Sequence, residues 1–441
     1  MKKRILVLLV GLCASLNFIA CGGGGTKIPP SGLHERVLAS QGITNAVRFG
    51  GLVIINAYND TIPGIAPLSG GSNPGLMAVS PTRNVAAAFD SGSNSVYAVN
   101  TLKETSIGSA HLGFPTTSFV VPTSDPMGYA AVPAAVVNGY SFVGAVDVMN
   151  FQTGVVNTIA VTAAQTVVSN SNGTQLLAFS NDSDSITVLN PGVATPPVDT
   201  SCITNPPNGV CTIVPESQGS RPVNAIINGN TAYVLNCGAQ CGGVTSAGQP
   251  AGASVAIFDL VGLTVTSTIP VDAATMAYLS GSTLYVAGTS PTNNACTGET
   301  TAATTCGRLD TVDLSAGNVT ATAVITDGYH HRMDLTNNGQ LFVGSYDCTN
   351  IGNVNNPSGE VRGCLSIVTV ATNSVFIPPD NGDVNGLQGF TSRYVEYVAE
   401  GGNLRVYDTL HGDILLINTY LPDGSINIPG YIGDVKAIDF F

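Results

Sequence analysis

The chain has 441 residues, of which only 10% are Asp, Glu, Lys or Arg, and its formal net charge is −13. Soluble domains usually carry about 25% charged residues, so this composition argues against long surface helices, and the apolar fraction of 44% argues against disorder. The negative charge argues against nucleic acid as a partner, because the chain would repel phosphates.

Residues 1–20 have the pattern of a secretion signal. A basic start at 2–4 is followed by an apolar stretch at 5–20. The sequence Phe18-Ile19-Ala20-Cys21 then resembles the lipobox of bacterial lipoproteins, in which the Cys is lipidated and becomes the new N-terminus. Phe18 departs from the Leu that this family usually has at that position.

The lipobox resemblance implies an exported protein that is anchored to the membrane of the cell envelope through Cys21. Residues 21–43, which begin with a run of glycines, are then a flexible tether and linker. Gly22, in place of Asp after the lipidated Cys, points by the same resemblance to the outer membrane. The alternative is a plain signal peptide with an incidental Cys. A transmembrane anchor would need about 20 apolar residues, which this stretch barely approaches.

One sequence pattern recurs through the rest of the chain: a short apolar strand that ends in Asn or Asp, a turn, and a second apolar strand. Asn and Asp suit such a hairpin turn because they tolerate the left-handed conformation and bond the nearby backbone. In the seventh copy this residue is displaced to Asn373. The eight copies of the first strand lie at 53–56, 96–100, 146–150, 186–190, 255–259, 309–313, 367–370 and 404–408.

A further strand and hairpin turn precede most copies, as in the strand at 176–179 after the turn at 170–173. Each unit therefore has four short antiparallel strands, and repeats of this kind at about 50 residues are typical of β-propeller blades. The sequence predicts an all-β chain with one propeller at 44–441. We expect eight blades, or seven if the hairpin at 52–67 is only an outer strand.

The two ends of the chain are expected to share one blade. The segment at 44–67 lacks a first strand before it, and the strand at 435–440 lacks a unit of its own. Joining them would close the ring and remove the open edges of the sheets.

The repeat resembles that of the YVTN-type propeller repeat proteins of bacterial surfaces and secreted lipoproteins. The resemblance rests on Tyr97-Ala98-Val99-Asn100, Tyr233-Val234-Leu235-Asn236 and Tyr285-Val286-Ala287-Gly288, and it spans residues 44–441. It implies the propeller architecture. It gives little information about function, because propellers host many unrelated activities.

Eight cysteines remain when Cys13 and Cys21 are set aside, and they fall into four pairs of close neighbours. Four local disulfides are the simplest interpretation and agree with export. A zinc site would need a second pair close to Cys237-Gly-Ala-Gln-Cys241, so no metal is predicted there. The predicted pairs are Cys202 with Cys211, Cys237 with Cys241, Cys296 with Cys306, and Cys348 with Cys364.

Three consecutive units carry long insertions between their second and third strands, at 237–253, 289–307 and 347–363. In a propeller these loops open on the same face as the loops that lead into each first strand. One interpretation is a wall built up beside the central pore, where ligands usually bind. The other is tolerated drift in exposed loops that disulfides protect from proteases.

The loops into the first strands hold the candidate binding residues at the pore mouth. His330 and His331, two of only five histidines, could bind a carboxylate, a phosphate or a metal ion together with Arg332, or they could form a polar turn at the blade entry. Calcium, which Asp380 and Asp383 could bind, is the one cofactor suggested. The candidate set is Arg221, Asp327, Tyr329, His330, His331, Arg332, Asp380 and Asp383.

The chain has no GxSxG or HExxH motif, and its cysteines are assigned to disulfides, so no catalytic residue is predicted. The sequence predicts a monomeric binding or scaffold propeller for a protein or glycan in the cell envelope. A lactonase-like or other hydrolase at the pore mouth is the alternative that His330, His331 and Arg332 keep open.

Overall fold

The structure is a computed structural model that describes residues 28–45, 48–123, 125–180, 182–190, 211–289, 307–348, 363–378, 382–410 and 424–440. The predicted signal segment at 1–20 and the lipidation site Cys21 lie outside these ranges. Within them the one helical element is a turn of 3-10 helix (Gly238–Cys241), and no helix is long and apolar enough to cross a bilayer.

Eight antiparallel sheets form the blades of a β-propeller, which confirms the predicted fold class. Blade 1 joins the two ends of the chain and contains β1 (Arg36–Gly42), β2 (Gly51–Asn56) and β31 (Tyr431–Ala437). Each of the other blades contains four consecutive strands, paired in chain order. These are blade 2 with β3 (Pro74–Val79), β4 (Val85–Asp90), β5 (Ser95–Asn100) and β6 (Thr105–His111); blade 3 with β7 (Ser118–Val120), β8 (Met127–Val136), β9 (Val143–Asn150) and β10 (Val156–Ala160); blade 4 with β11 (Thr166–Ser169), β12 (Leu176–Phe179), β13 (Ser185–Leu189) and β14 (Cys211–Pro215); blade 5 with β15 (Pro222–Asn228), β16 (Thr231–Asn236), β17 (Ala253–Asp259) and β18 (Thr264–Val271); blade 6 with β19 (Met276–Ser280), β20 (Thr283–Thr289), β21 (Gly307–Asp313) and β22 (Asn318–Ile325); blade 7 with β23 (Tyr329–Leu335), β24 (Gln340–Tyr346), β25 (Leu365–Thr369) and β26 (Ser374–Phe376); and blade 8 with β27 (Val384–Phe390), β28 (Val395–Glu400), β29 (Asn403–Asp408) and β30 (Gly424–Ile426).

The innermost strands contact one another around a closed ring. β31 lies between β27 and β3, so the C-terminal strand is the first strand of blade 1. All eight recurring strands found in the sequence are third strands of their blades, from β2 in blade 1 to β29 in blade 8. The count is therefore eight, and the alternative of seven blades is wrong.

The Asn and Asp residues that end the third strands hold the following turns, as predicted. The side chain of Asn100 accepts a hydrogen bond from the Lys103 amide (2.8 Å), and Asp313 accepts from the amides of Ser315 (2.8 Å) and Ala316 (3.1 Å). The displaced Asn373 adopts a left-handed conformation, with φ of 56°. The same bonding occurs at Asn56, Asn150, Asp259 and Asp408.

Blade 1 is closed by both chain ends, but it starts earlier in the chain than expected. The pairing of β1 with β31 places residues 36–42 inside the propeller, although the sequence assigned 21–43 to the linker and began the propeller at 44. Val37, Leu38 and Ala39 are fully buried, which explains why this segment belongs to the core. The fourth position is occupied by 61–68, which bridges to β2 at two points; its prolines cannot donate regular ladder bonds.

Neighbouring blades bury the apolar faces of their sheets against each other. Val96 and Ala98 of β5, for example, share one buried cluster with Phe119 and Val132 of blade 3. Because each sheet packs against a blade on either side, successive residues of a strand are apolar. Few strand positions are then left for charged residues.

Two of the predicted disulfides lie within the described residues. Cys237–Cys241 closes the 3-10 turn that follows β16, and Cys348–Cys364 ties the ends of the loop between β24 and β25. Cys211 is also disulfide-bonded. Its predicted partner Cys202 and the predicted pair Cys296 and Cys306 lie outside the described residues.

A buried arginine joins the two ends of the chain to blade 2. The Arg36 side chain is fully buried, and its Nε and Nη2 donate to the Asp439 carboxylate at 2.9 and 2.6 Å. Its Nη1 donates to Glu104 Oε1 and to the Thr101 carbonyl, both at 2.7 Å. Asp439 follows the closing strand β31, so these bonds hold the ring closed from both ends.

Replacing Arg36 by Met should lower the free energy of unfolding by about 3–5 kcal/mol, the usual cost of removing one partner of a buried ion pair. Asp439 and Glu104 would then lack the counter-ion that compensates their burial. Urea unfolding followed by circular dichroism measures the change. The matched control is Lys103→Met at an exposed position, with an expected change within about 0.5 kcal/mol. Equal stabilities of the two variants would contradict a role for Arg36 in closure.

Candidate functional site

The first strands of the eight blades surround a central channel with a cavity of about 700 Å³. Every blade contributes at least one lining residue. Most of these lie where a first strand begins, such as Thr117, Gln165, Thr275 and Tyr329, and Tyr346 lies where a second strand ends. The cavity therefore lies at the face that carries the long loops between second and third strands.

The channel is lined by cations in a chain that is acidic overall. Among the described residues that line it, Arg332 and Lys436 are the only Lys, Arg, Asp or Glu side chains. Both are 23% exposed, and they flank the fully buried carboxylate of Asp434. Arg332 and Lys436 thus share one carboxylate. The group of these three side chains therefore keeps one uncompensated positive charge.

The positions of Arg332 and Lys436 are fixed by hydrogen bonds. Arg332 Nε donates to the Asn385 carbonyl (2.8 Å) and Nη1 to the His331 carbonyl (3.1 Å), while Nη2 lies 3.8 Å from Asp434 Oδ2. Lys436 Nζ donates to Asp434 Oδ1 at 2.9 Å.

Two backbone amides complete the hydrogen bonding of Asp434. Met77 N donates to Oδ2 at 2.9 Å, and Val435 N donates to Oδ1 at 2.8 Å. Because β3, β27 and β31 all contribute to these bonds, the cationic pair is positioned by three adjacent blades.

An aromatic group stands at the mouth of the channel. The rings of Tyr329 and Tyr346 lie 5.2 Å apart at an angle of 32°, and the His331 ring meets Tyr346 edge-on at 4.8 Å. Burial lowers the pKa of His331 well below 6.5, and the nearby charges of Arg332 and Lys436 lower it further. His331 is therefore neutral at physiological pH and adds no charge to the site.

A bulge in β23 explains why two consecutive residues both line the channel. His330 pairs with Ser345 and Arg332 pairs with Gly344, so His331 is the extra residue in this strand. Bulges of this kind re-aim side chains next to functional sites. Regular alternation would have placed His331 on the face opposite to Arg332.

A side cavity of about 380 Å³ adjoins the channel at Tyr329, which lines both spaces. Gln240 lies inside the disulfide-closed 3-10 turn, and its Oε1 accepts a hydrogen bond from the Thr289 amide at 2.8 Å. The disulfide Cys237–Cys241 thus fixes one wall of the cavity. Asp327 and Asp347 provide polar groups in its lining.

The structure removes His330 from the candidate set. Its ring is fully buried, its Nε2 lies 2.9 Å from the Thr326 carbonyl, and its own carbonyl accepts a hydrogen bond from Thr275 Oγ1. Burial lowers its pKa to about 4. His330 is therefore part of the core between blades, and the bulge after it allows His331 and Arg332 both to line the channel.

Two further candidates lie away from the channel. Arg221 pairs with Asp184, with Nε 3.7 Å from Oδ1, and its backbone amide donates to the same carboxylate. Asp383 accepts a hydrogen bond from the Asp347 amide at 3.0 Å, and neither Arg221 nor Asp383 lines the channel or the side cavity.

The predicted calcium ligands are only partly described. Asp380, the suggested partner of Asp383, lies outside the described residues. Within those residues no group of three or more His, Cys, Asp or Glu side chains is placed to hold a metal ion.

Sequence reasoning missed Lys436, Tyr346 and Asp434. Lys436 and Asp434 lie in and beside the strand that was predicted to close the ring, and first strands line the channel. A search of the first strands for charged residues would have found both. Tyr346 is the last residue of β24, a second strand, and no motif in the sequence marked it as a channel residue.

The opposite end of the channel contains the fully buried carboxyl of Glu396 and the half-buried carboxyl of Asp334. Asp334 Oδ2 accepts a hydrogen bond from the Gly389 amide at 2.7 Å. A Cβ added at Gly389 would lie 2.9 Å from Glu396 Oε2 and 3.2 Å from Asp334 Oδ2, so both groups face the same bare backbone. Burial raises the pKa of each, and for Glu396 the neighbouring Asp334 raises it further.

The fold is similar to those of several solved structures, each at 12% identity. The dihydro-heme d1 dehydrogenase NirN, in complex with DHE, has a TM-score of 0.59, and the match covers 92% of this chain and 75% of NirN. Hydrazine synthase of Kuenenia stuttgartiensis has a TM-score of 0.47 (85% and 92% covered), and the periplasmic gluconolactonase PpgL of Pseudomonas aeruginosa has 0.46 (91% and 98%). No family model and no curated protein matches the chain. Likeness at this identity shows the fold alone.

Stability should fall as pH rises through the range between the ordinary pKa of Glu near 4.5 and the raised pKa of Glu396. In that range the folded state binds a proton that the unfolded state has released, so each step up in pH favours unfolding. Glu396→Gln, which cannot ionise, should match the native protein in melting temperature at pH 4 and exceed it at pH 8.

Differential scanning calorimetry across this pH range measures the effect. The control is Asp182→Asn at an exposed carboxyl, which should leave the pH profile unchanged. Parallel profiles for Glu396→Gln and the native protein would contradict a raised pKa of the buried Glu396.

Proposed function

We propose that the protein is a lipid-anchored binding module of the cell envelope that holds a protein or glycan partner at the mouth of the central channel. The observation that carries the proposal is the contrast in charge. The whole chain has a net charge of −13, yet the described channel lining contains Arg332 and Lys436 and no carboxylate. A cationic, aromatic-lined cavity in an acidic protein is suited to recognise a partner of opposite charge.

The loops around the mouth support binding by shape. The insertion at 237–253 and the described ends of those at 289–307 and 347–363 lie on the face where the cavity opens. A disulfide closes a turn in the first insertion, and another joins the two ends of the last. A loop that is rigid before binding loses less conformational entropy when it captures a partner. The lipobox-like sequence at Cys21 supports attachment of the propeller to a membrane.

A hydrolase is the second candidate, and the observation in its favour is His331 beside Arg332. A neutral imidazole can accept a proton, and a guanidinium can stabilise an anionic intermediate. However, burial and neighbouring cations lower the pKa of His331 well below 6.5, which makes it a weak base. His330 is part of the core and cannot assist it.

Replacing Tyr329 by Ala should weaken partner binding about tenfold or more, because Tyr329 lines both the channel and the side cavity. A glycan array and crosslinking in intact cells identify the partners of the full chain, and titration measures their affinity for each variant. The control is Tyr58→Ala, at an exposed tyrosine in blade 1. A partner that binds both variants equally well would place its site elsewhere, and no partner in either assay would contradict the proposal.

Hydrolysis is tested with a panel of lactones and esters. The binding proposal expects turnover at the rate of the uncatalysed reaction for the native protein and for His331→Gln alike. His330 is left intact in this variant because its replacement would disturb the core. Turnover that is present in the native protein and lost in His331→Gln would establish the hydrolase instead.

A further inference from the structure

We propose that the channel is a subsite for the carboxylate of an acidic sugar, which binds between Arg332 and Lys436 while its ring packs on Tyr329. The inference rests on the proposed function and names the class of ligand. It depends on three properties of the described site: its charge, its remaining hydrogen-bond donors and its aromatic walls.

The charge of the site matches one negative charge. Arg332 and Lys436 share the Asp434 carboxylate, and His331 is neutral. A monoanion would balance the remaining positive charge, whereas a phosphate dianion would leave an excess negative charge in a chain that is already acidic. Asp334 and Glu396 lie near Lys436 at the far end, where burial raises the pKa of both carboxyls and the Lys436 charge opposes that rise. A singly charged carboxylate therefore fits best.

Donors remain on both cations after their described bonds are counted. A guanidinium has five N–H groups and an ammonium has three. Arg332 donates Nε and one Nη1 hydrogen to backbone carbonyls, and its Nη2 is 3.8 Å from Asp434, too far for a hydrogen bond. Lys436 donates to Asp434 once. Both groups can donate charge-assisted hydrogen bonds to an incoming carboxylate.

The mouth of the channel favours a sugar over a simple organic acid. The rings of Tyr329 and Tyr346 offer apolar faces against which a sugar ring can pack. Beyond Tyr329 the side cavity is lined by Asp347, whose exposed side chain can accept hydrogen bonds from hydroxyl groups. Thr289 Oγ1 is buried there without a hydrogen-bond partner, which a ligand hydroxyl would satisfy. A ligand with hydroxyls at one end and a carboxylate at the other matches this arrangement.

The test compares D-galacturonic acid and its dimer with D-galactose and its dimer by calorimetric titration of the full chain. We expect the acidic sugars to bind at least tenfold more tightly than the neutral ones, with an affinity that falls as salt is raised. Lys436→Gln should remove this preference, and Lys436→Arg should restore it. The control Lys103→Gln, at an exposed lysine, should leave it unchanged. Melting curves of the Lys436 variants separate lost binding from lost folding.

Several outcomes would overturn the inference. Equal affinity for acidic and neutral sugars would show that Arg332 and Lys436 do not bind the sugar carboxylate. A preference for acidic sugars that persists in folded Lys436→Gln would show the same. Tighter binding of galactose 1-phosphate than of galacturonate would assign the site to phosphates. If a neutral glycan or a protein binds and depends on Tyr329 while galacturonate does not bind, the inference fails and the proposed function stands. If no partner of any kind binds, both fail.

Discussion

The pairing of β31 with β1 is the interaction on which the rest of the structure depends. It joins the last described strand of the chain to the first and converts a row of sheets into a closed ring in which every blade packs between two neighbours. The same strand supplies Asp434 and Lys436 to the central channel. The strand that closes the ring therefore also completes the candidate site, because the one ion pair that Arg332 forms among the described residues is with Asp434 of β31.

Two of the buried charge clusters in this chain lie where the ring closes and where the channel is lined. Arg36 is fully buried against Asp439 and Glu104, and Asp434 is fully buried between Arg332 and Lys436. Burying a charge is costly unless it is paired and hydrogen-bonded, and both groups meet that condition. The low charge content noted in the sequence follows from sheets that are covered on both faces, which leaves ions few positions outside the turns, the ring closure and the channel.

The sequence predicted the architecture well because the third strands repeat a chemical signal. Asn100, Asp259, Asp313 and Asp408 each end a strand and bond the turn that follows, so blade number and strand order could be read from them. The site was less predictable. His330, His331 and Arg332 form one polar run in the sequence, but His330 is buried, and the bulge in β23 allows both His331 and Arg332 to line the channel. A bulge leaves no pattern in residue type. Lys436 is distant from this run in the chain, so no local sequence pattern indicated that it lies near Arg332.

The same geometry links binding to stability. Arg332 belongs to blade 7, its Nε bonds the backbone of blade 8, and Lys436 belongs to the closing strand of blade 1. A ligand held by both cations would bridge three blades at the point where the ring closes. A ligand that binds only the folded state stabilises it in proportion to the logarithm of its concentration, and one that spans the closure would oppose the opening of β31 directly. The two cations are thus placed where recognition of an anion and retention of the closed ring reinforce each other.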